Sequence, residues 1–401
     1  MSLLARGLTS PVPVEYPLLG ASRNGSVTRG PDGVLRYGDL SPALTELLDV
    51  RVHRYANRVA VVEIGGPSLT YRELWGSAAR IAGGLNSRGI GYGDRVGIRL
   101  DNGARWVQAF LGALLSGAVP VPVNDRPGCG DAAYVLDDSA VDFVLDDDMP
   151  DATAFIDDGA SLGEVALLCY TNGTHGRPKG VELSNENLLS TIESVVDTLG
   201  LVNTGMRNLM MVPLAHASGC VDQLLPTLAV GGTVVIPSEF GADALVRALR
   251  QEQVDVVATT ADVLRDLCTD RVPTDARVTT VCCSGGALTA AQAQRVGRVF
   301  PAASQWSVWG ATETSGIGLA LSGLCPDDRP GFVGAPFGGT ELALLGPDAE
   351  HGVGELLCRG PNVTRGYWNN PEATAQSFTG NWFHTGDQVE IDRNGFVRLT
   401  A

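Results

Sequence analysis

The stretch Tyr170-Thr-Asn-Gly-Thr-His-Gly-Arg-Pro-Lys-Gly-Val181 concentrates groups that handle phosphate: three glycines, two threonines, Arg177 and Lys179. Glycine lets consecutive backbone N–H groups turn inward on an anion. The hydroxyls of Thr171 and Thr174 and the Lys179 ammonium can reach phosphate oxygens. An apolar run, Val165 to Cys169, comes before it, and Ser184-Asn185-Glu186-Asn187 opens a helix after it. The segment therefore reads as a phosphate-cradling loop between a strand and a helix, although a Gly-rich surface turn has the same composition.

It is not a Walker loop, because Pro178 precedes Lys179 and Gly180, not Ser or Thr, follows it. It resembles the phosphate loop of the adenylate-forming superfamily, which includes acyl- and aryl-CoA synthetases, luciferases and peptide-synthetase adenylation domains. That loop runs Tyr-Thr-Ser-Gly-Thr-Thr-Gly-x-Pro-Lys-Gly, and this chain departs from it at Asn172 and His175. The resemblance implies ATP contacts from Thr171, Asn172, Gly173, Thr174, His175, Gly176 and Lys179. An imidazole at position 175 near phosphates would be favoured in its charged form, so its pKa is expected to rise on nucleotide binding.

Four further elements resemble the family's in order and spacing. Pro213-Leu-Ala-His-Ala-Ser-Gly219 matches a Pro-x-x-His element, which places His216 on the acyl-substrate channel. Ser284-Gly-Gly-Ala-Leu288 implies that Gly285, Gly286 and Ala287 wall the adenine and the acyl pocket. Trp309-Gly-Ala-Thr-Glu313 has Trp309 where Tyr is more usual. Its aromatic face would stack on adenine beside Gly310, Thr312 would bond the α-phosphate, and Glu313 would supply an oxygen to Mg²⁺. Trp382-Phe-His-Thr-Gly-Asp387 ends in the carboxylate expected to accept both ribose hydroxyls. Gly366-Tyr-Trp-Asn-Asn-Pro371 also matches the family and reads as scaffold.

Positioning these groups requires an α/β fold. Short apolar runs alternate with helical patterns: Arg58 to Glu63, then a helix from Ser68 to Leu85, Val96 to Leu100, Arg105 to Ser116 and Val119 to Val123. A helix from Cys220 to Val230 and the strands Thr233 to Ile236 and Val254 to Ala258 continue the pattern. Such alternation implies layered α/β/α subdomains with mostly parallel sheets. Short strands after Gly331 imply a small β-rich, barrel-like subdomain. The division is a loosely structured N-terminal extension (1–37), an α/β subdomain with the phosphate loop (38–200), a second α/β subdomain (201–330) and the β-rich part (331–401).

Composition excludes several classes. A net charge of −16 argues against nucleic acid or an anionic membrane surface as partner. Trp106 to Val123 is broken by glycine and proline, which suits a buried helix and strand better than a membrane span. Eight cysteines without metal-ligand spacing suggest buried thiols in a reducing, cytoplasmic setting. The acidic pairs Asp137-Asp138 and Asp157-Asp158 read as solvated turns.

The resemblance implies ATP-dependent activation of a fatty or aryl acid to acyl-AMP, with transfer to CoA or a carrier-protein thiol. Catalytic roles fall on Lys179, His216, Thr312 and Glu313. Family members continue past the position of Ala401 into a hinge and a domain carrying a further lysine. The 401-residue polypeptide is accordingly expected to bind ATP and acyl-adenylate but to turn over poorly. Amino-acid adenylation, with Asp222 in view, and a non-catalytic nucleotide-binding relative are the alternatives.

Overall fold

Apolar strands bury both faces when they run parallel between helices, and six do so here. Val59–Glu63, Thr233–Ile236, Arg207–Met210, Val256–Thr260, Thr280–Ser284 and Ser304–Ala311 lie side by side in that order, all parallel. The computed structural model describes residues 12–16, 27–125, 132–171, 177–199, 205–267, 274–324 and 331–400. Gly316–Ser322 folds back antiparallel on Ser304–Ala311. From there Phe332–Pro336, Val397–Leu399, Trp382–Ile391, Val353–Arg359 and Glu341–Leu345 carry the sheet onward. The result among the described residues is one mixed sheet of 15 strands with helices against it, an α/β fold. Its strands come from every segment into which the sequence divides.

A second, parallel sheet contains Val119–Pro122, Arg95–Ile98 and Phe143–Leu145 in that order. Pro120 and Pro122 lie on its edge strand, where a missing N–H breaks no ladder. The helix Tyr71–Asn86 starts at a capping box: Thr70 accepts from the Glu73 N–H, and the Glu73 carboxylate accepts from Thr70. It packs on the helix Ala104–Leu115, and a Cβ on Gly112 would come within 2.6 Å of Ile81.

Three local expectations change. The phosphate loop does not run from strand to helix. Gly180–Ser184 pairs antiparallel with Val165–Tyr170, and the helix Asn185–Thr198 starts only after that strand. The loop thus connects two antiparallel strands. The helix expected over Cys220 to Val230 is three pieces: Ala217–Gly219, a π-helical turn Cys220–Leu224 and Leu225–Ala229. The described parts of the extension are strands rather than loose chain, one held by a distant partner and two by a local hairpin. Val14–Tyr16 adds to the edge of the large sheet beside Glu341–Leu345, and Val27–Arg29 pairs with Leu35–Tyr37.

No described helix is long and apolar enough to cross a membrane. Cys169, Cys220, Cys282, Cys283 and Cys358 are buried free thiols.

Candidate active site

Open α/β sheets bind ligands outside the carboxyl ends of their parallel strands. Here Thr260, Ser284 and Ala311, each the last residue of its strand, border a cavity of ≈ 740 Å³. Of the residues selected by sequence, His216, Gly285, Gly286, Ala287, Trp309, Gly310 and Thr312 all lie on its wall. Gly285 and Gly286 have φ of 69° and 146°, a backbone path that side chains resist, and it leaves the turn without bulk. Thr289 then caps the helix Ala290–Val299.

Asp387 joins this wall through a side chain. The Trp309 indole N–H donates to Asp387 Oδ2 at 3.0 Å, across 78 positions of sequence. The strands that carry the two residues lie in the same sheet, and Gly310 permits the close approach of the hairpin behind Trp309. A Cβ on Gly310 would sit 1.8 Å from the Gly316 carbonyl oxygen. Burial pushes the Asp387 carboxyl up from its usual range, and the Trp309 hydrogen bond pulls the other way. Oδ1 is left for another donor.

A second constellation adjoins Thr312. The Lys179 ammonium lies 4.1 Å from the centroid of the Tyr367 ring, and the Tyr367 hydroxyl donates to Glu313 Oε1 at 2.7 Å. Tyr367 has its pKa raised, first by its own burial and then by the buried Glu313 carboxylate beside it. The hairpin that carries Lys179 is closed at its base: Thr171 N–H donates to Lys179 C=O, and Lys179 N–H donates to Thr171 Oγ1, both at 3.0 Å. Asn172, Gly173, Thr174, His175 and Gly176 lie outside the described residues, so the expectation for His175 does too.

The donor set fits a magnesium ion brought in with a nucleotide. Such ions take one or two carboxylates and fill the remaining positions with phosphate oxygens and water. Among the described residues no group of three or more His, Cys, Asp or Glu could hold a metal, so a self-sufficient protein cage is absent there. Glu313, with Oε1 bonded to Tyr367, keeps Oε2 for a metal.

His216 faces the cavity with its ring nitrogen committed. Asn124 Nδ2 lies 3.1 Å from His216 Nε2, and in this amide orientation Nε2 is the acceptor. Burial lowers the His216 pKa, which keeps the ring neutral near pH 7. Gly219 makes the turn after it possible, since a Cβ there would meet the Pro213 carbonyl at 2.1 Å. Asp222, on the π-helical turn, also borders the cavity and accepts the Ile317 N–H at 3.1 Å. Burial raises its pKa to about 7.

Sequence reasoning missed Tyr367 and Asn124. Tyr367 sits in a motif that was legible but read as scaffold. The Asn124 signal was weak: one polar residue directly after an apolar edge strand.

A fold and a site of this kind define a nucleotide-using α/β enzyme. The profile of the AMP-binding enzyme family matches residues 48–161 and 152–368, and the chain belongs to that family. A feruloyl-CoA synthase of Amycolatopsis sp is 31% identical over 388 residues, covering 87% of this chain and 77% of that one. The O-succinylbenzoate coenzyme A synthetase of Bacillus subtilis, solved in complex with ATP and magnesium ion, superposes with a TM-score of 0.81 at 25% identity. That match covers 90% of this chain and 79% of the other. The inhibitor-bound N-terminal domain of FACL13 from Mycobacterium tuberculosis gives 0.79 at 25% identity, covering 90% and 100%.

Proposed function

We propose that the protein is an AMP-forming acid–thiol ligase that activates an aryl or other apolar carboxylic acid with ATP and passes the acyl group to CoA. In the first step a carboxylate oxygen attacks the α-phosphorus of ATP. The bond to the bridging oxygen breaks, and pyrophosphate leaves with the electron pair. In the second step the CoA sulfur attacks the acyl carbon of the adenylate, AMP leaves, and the thiol proton is released.

The observation that carries this reading is the joining of Lys179, Tyr367 and Glu313 beside the cavity that Trp309 and His216 wall. The first step brings anion to anion, so fixed positive charge and alignment dominate its barrier. Lys179 is held by the Tyr367 ring, at the base of the hairpin, where phosphate oxygens would lie. Glu313 would hold the magnesium ion, which supplies charge neutralisation at those phosphates. Thr312 offers a hydroxyl to the α-phosphate. Trp309 gives adenine a face, and Asp387 accepts from the ribose hydroxyls. Neutral His216 borders the acyl side, where it excludes water without adding charge. The ATP–magnesium complex of the Bacillus subtilis relative and the name of the Amycolatopsis relative support this reading.

Acid-dependent exchange of labelled pyrophosphate into ATP tests it. Slow exchange with an aryl acid, lost in Asp387→Ala, is the expected result. Nucleotide binding with neither exchange nor binding of any aryl, fatty or amino acyl-adenylate mimic would instead point to a non-catalytic nucleotide-binding protein.

A further inference from the structure

Beneath the large cavity lies a small one of ≈ 40 Å³ that shares Ser218, Asp222, Ser284, Val308 and Ile317 with it. A buried water needs roughly 10–15 Å³ of such space, so the pocket suits a hydroxyl or a similarly small group and no second ring. Its chemistry is lopsided. Three of its lining side chains, Asn208, Gln223 and Thr259, are 1%, 5% and 2% exposed. Asn208 Oδ1, Gln223 Oε1 and Thr259 Oγ1 are buried without a hydrogen-bond partner. Buried polar atoms without partners are uncommon, and each costs stability that a ligand can restore.

The orientation of the Gln223 amide is fixed locally. Gln223 Nε2 donates to the Ser218 carbonyl at 3.1 Å, an acceptor that the amide oxygen could not face. Asn208 Nδ2 lies 3.0 Å from Thr227 Oγ1, to which it donates, and its Oδ1 is the atom left without a partner. The Gln223 oxygen is thus free for a ligand by necessity and the Asn208 oxygen in the arrangement observed, and the Asp222 carboxyl adds a further acceptor when ionised. Apart from Ser218 and Ser284, which it shares with the large cavity, the remaining walls are apolar, Val256, Ala258, Val308 and Ile317 among them. The π-helical turn matters here, because it places Asp222 and Gln223, consecutive in sequence, on one cavity. Apolar sides with acceptors at the closed end describe a slot for a flat hydrocarbon that ends in a hydrogen-bond donor.

We propose that the preferred acid is an aryl acid bearing a hydroxyl at the end remote from its carboxylate, and that this hydroxyl enters the pocket formed by Asn208, Gln223 and Thr259. This rests on the ligase reading and names the substrate class of the same site. A hydroxyl gives its proton to an amide oxygen and can accept from Thr259, whose hydroxyl is both donor and acceptor. A terminal ammonium is the competing donor. It has no lone pair to take the Thr259 hydroxyl proton, which a hydroxyl ligand can accept.

The test is calorimetric binding of four acyl-adenosine sulfamates, stable mimics of the adenylate: cinnamoyl, 4-hydroxycinnamoyl, 4-methoxycinnamoyl and 5-aminopentanoyl. The 4-hydroxy ligand is expected to bind on the order of 10–100-fold more tightly than the unsubstituted and 4-methoxy ligands, which lack the donor. In Thr259→Val and Gln223→Met that ratio narrows. Equal binding of the three cinnamoyl ligands, at affinities that Asp387→Ala abolishes, overturns the proposal and leaves the ligase reading intact. Preference for the aminopentanoyl ligand overturns it in favour of an amine. Binding of none of the four removes the proposal together with the adenylate site itself. The comparison among ligands uses the unaltered chain, so it holds even if a variant fails to fold.

Discussion

The Lys179 ammonium rests 4.1 Å from the centre of the Tyr367 ring, while the hydroxyl of that ring holds buried Glu313 at 2.7 Å. One aromatic residue thus spaces the cation and the anion. Tyr367→Phe keeps the surface under Lys179 but leaves a buried Glu313 oxygen unpaired. It should cost about 1–3 kcal/mol of stability. Tyr367→Leu also removes the cation–π contact, adding ~0.5–2 kcal/mol and lowering ATP affinity further. Denaturant unfolding and ATP titration of both variants check the ordering. Equal effects of Phe and Leu would mean that the ring does not seat Lys179.

Trp309 and Asp387 separate in the same way. Trp309→Phe keeps an aromatic face and removes the N–H donated to Oδ2. It should weaken nucleotide binding several-fold, whereas Asp387→Ala should weaken it about 10–100-fold through loss of a charged acceptor. Adenosine and 2′,3′-dideoxyadenosine distinguish the two. Against the dideoxy ligand the Asp387→Ala penalty should vanish.

The Asp222 carboxyl has its folded pKa raised from 3.8 to about 7 by burial. The neutral form is the one the fold tolerates, so the native state binds the proton that the unfolded chain releases. The favourable contribution of this group is complete below pH 4 and is lost as the pH rises towards about 7. Relative to Asp222→Asn, the parent protein should lose a few kcal/mol of stability across that window and change little above it. Denaturation midpoints of both proteins at pH 4, 5.5, 7 and 8 measure this. Parallel curves would refute it.

For His216 the shift is opposite in direction, since burial lowers its pKa below 6.5. Stability from the neutral ring is present above 6.5 and is lost as the pH falls through the lower folded value. Proton NMR of the ring should find it neutral at pH 6.5, with Nδ1 carrying the hydrogen because Nε2 accepts from Asn124. A half-charged ring at pH 6.5 would contradict the burial argument.

The central strands and most helices were legible because their residues obey local rules. The run Thr233–Ile236, three β-branched apolar residues after a threonine, reads as a strand from its own composition and is buried at every position. The Thr70–Glu73 capping box likewise marks a helix start without help from the fold. What stayed hidden depends on partners far away in sequence. The strand Gly180–Ser184 contains buried Val181 and Leu183, but only its pairing with Val165–Tyr170 distinguishes it from loop. The phosphate and adenine residues were legible as motifs, yet the bonds that join them span several intervening strands. Tyr367 lies 54 residues from Glu313, and Asp387 lies 78 from Trp309. The small cavity was invisible for the same reason, since its amides come from a strand and a π-helical turn that no repeat in the sequence signals.

Gly316 carries a consequence for how this protein could change over generations. Its φ is 90°, and a Cβ there would fall 2.0 Å from Asp222 Oδ1. No side chain can be added at 316 while Asp222 keeps its place, and trimming Asp222 relieves the collision but not the left-handed backbone. The two positions are therefore locked in one order of descent. Variation at 222 can come first and re-tune what the pocket accepts, whereas a lineage that first mutates 316 meets collision and strain together and has no neutral route onward.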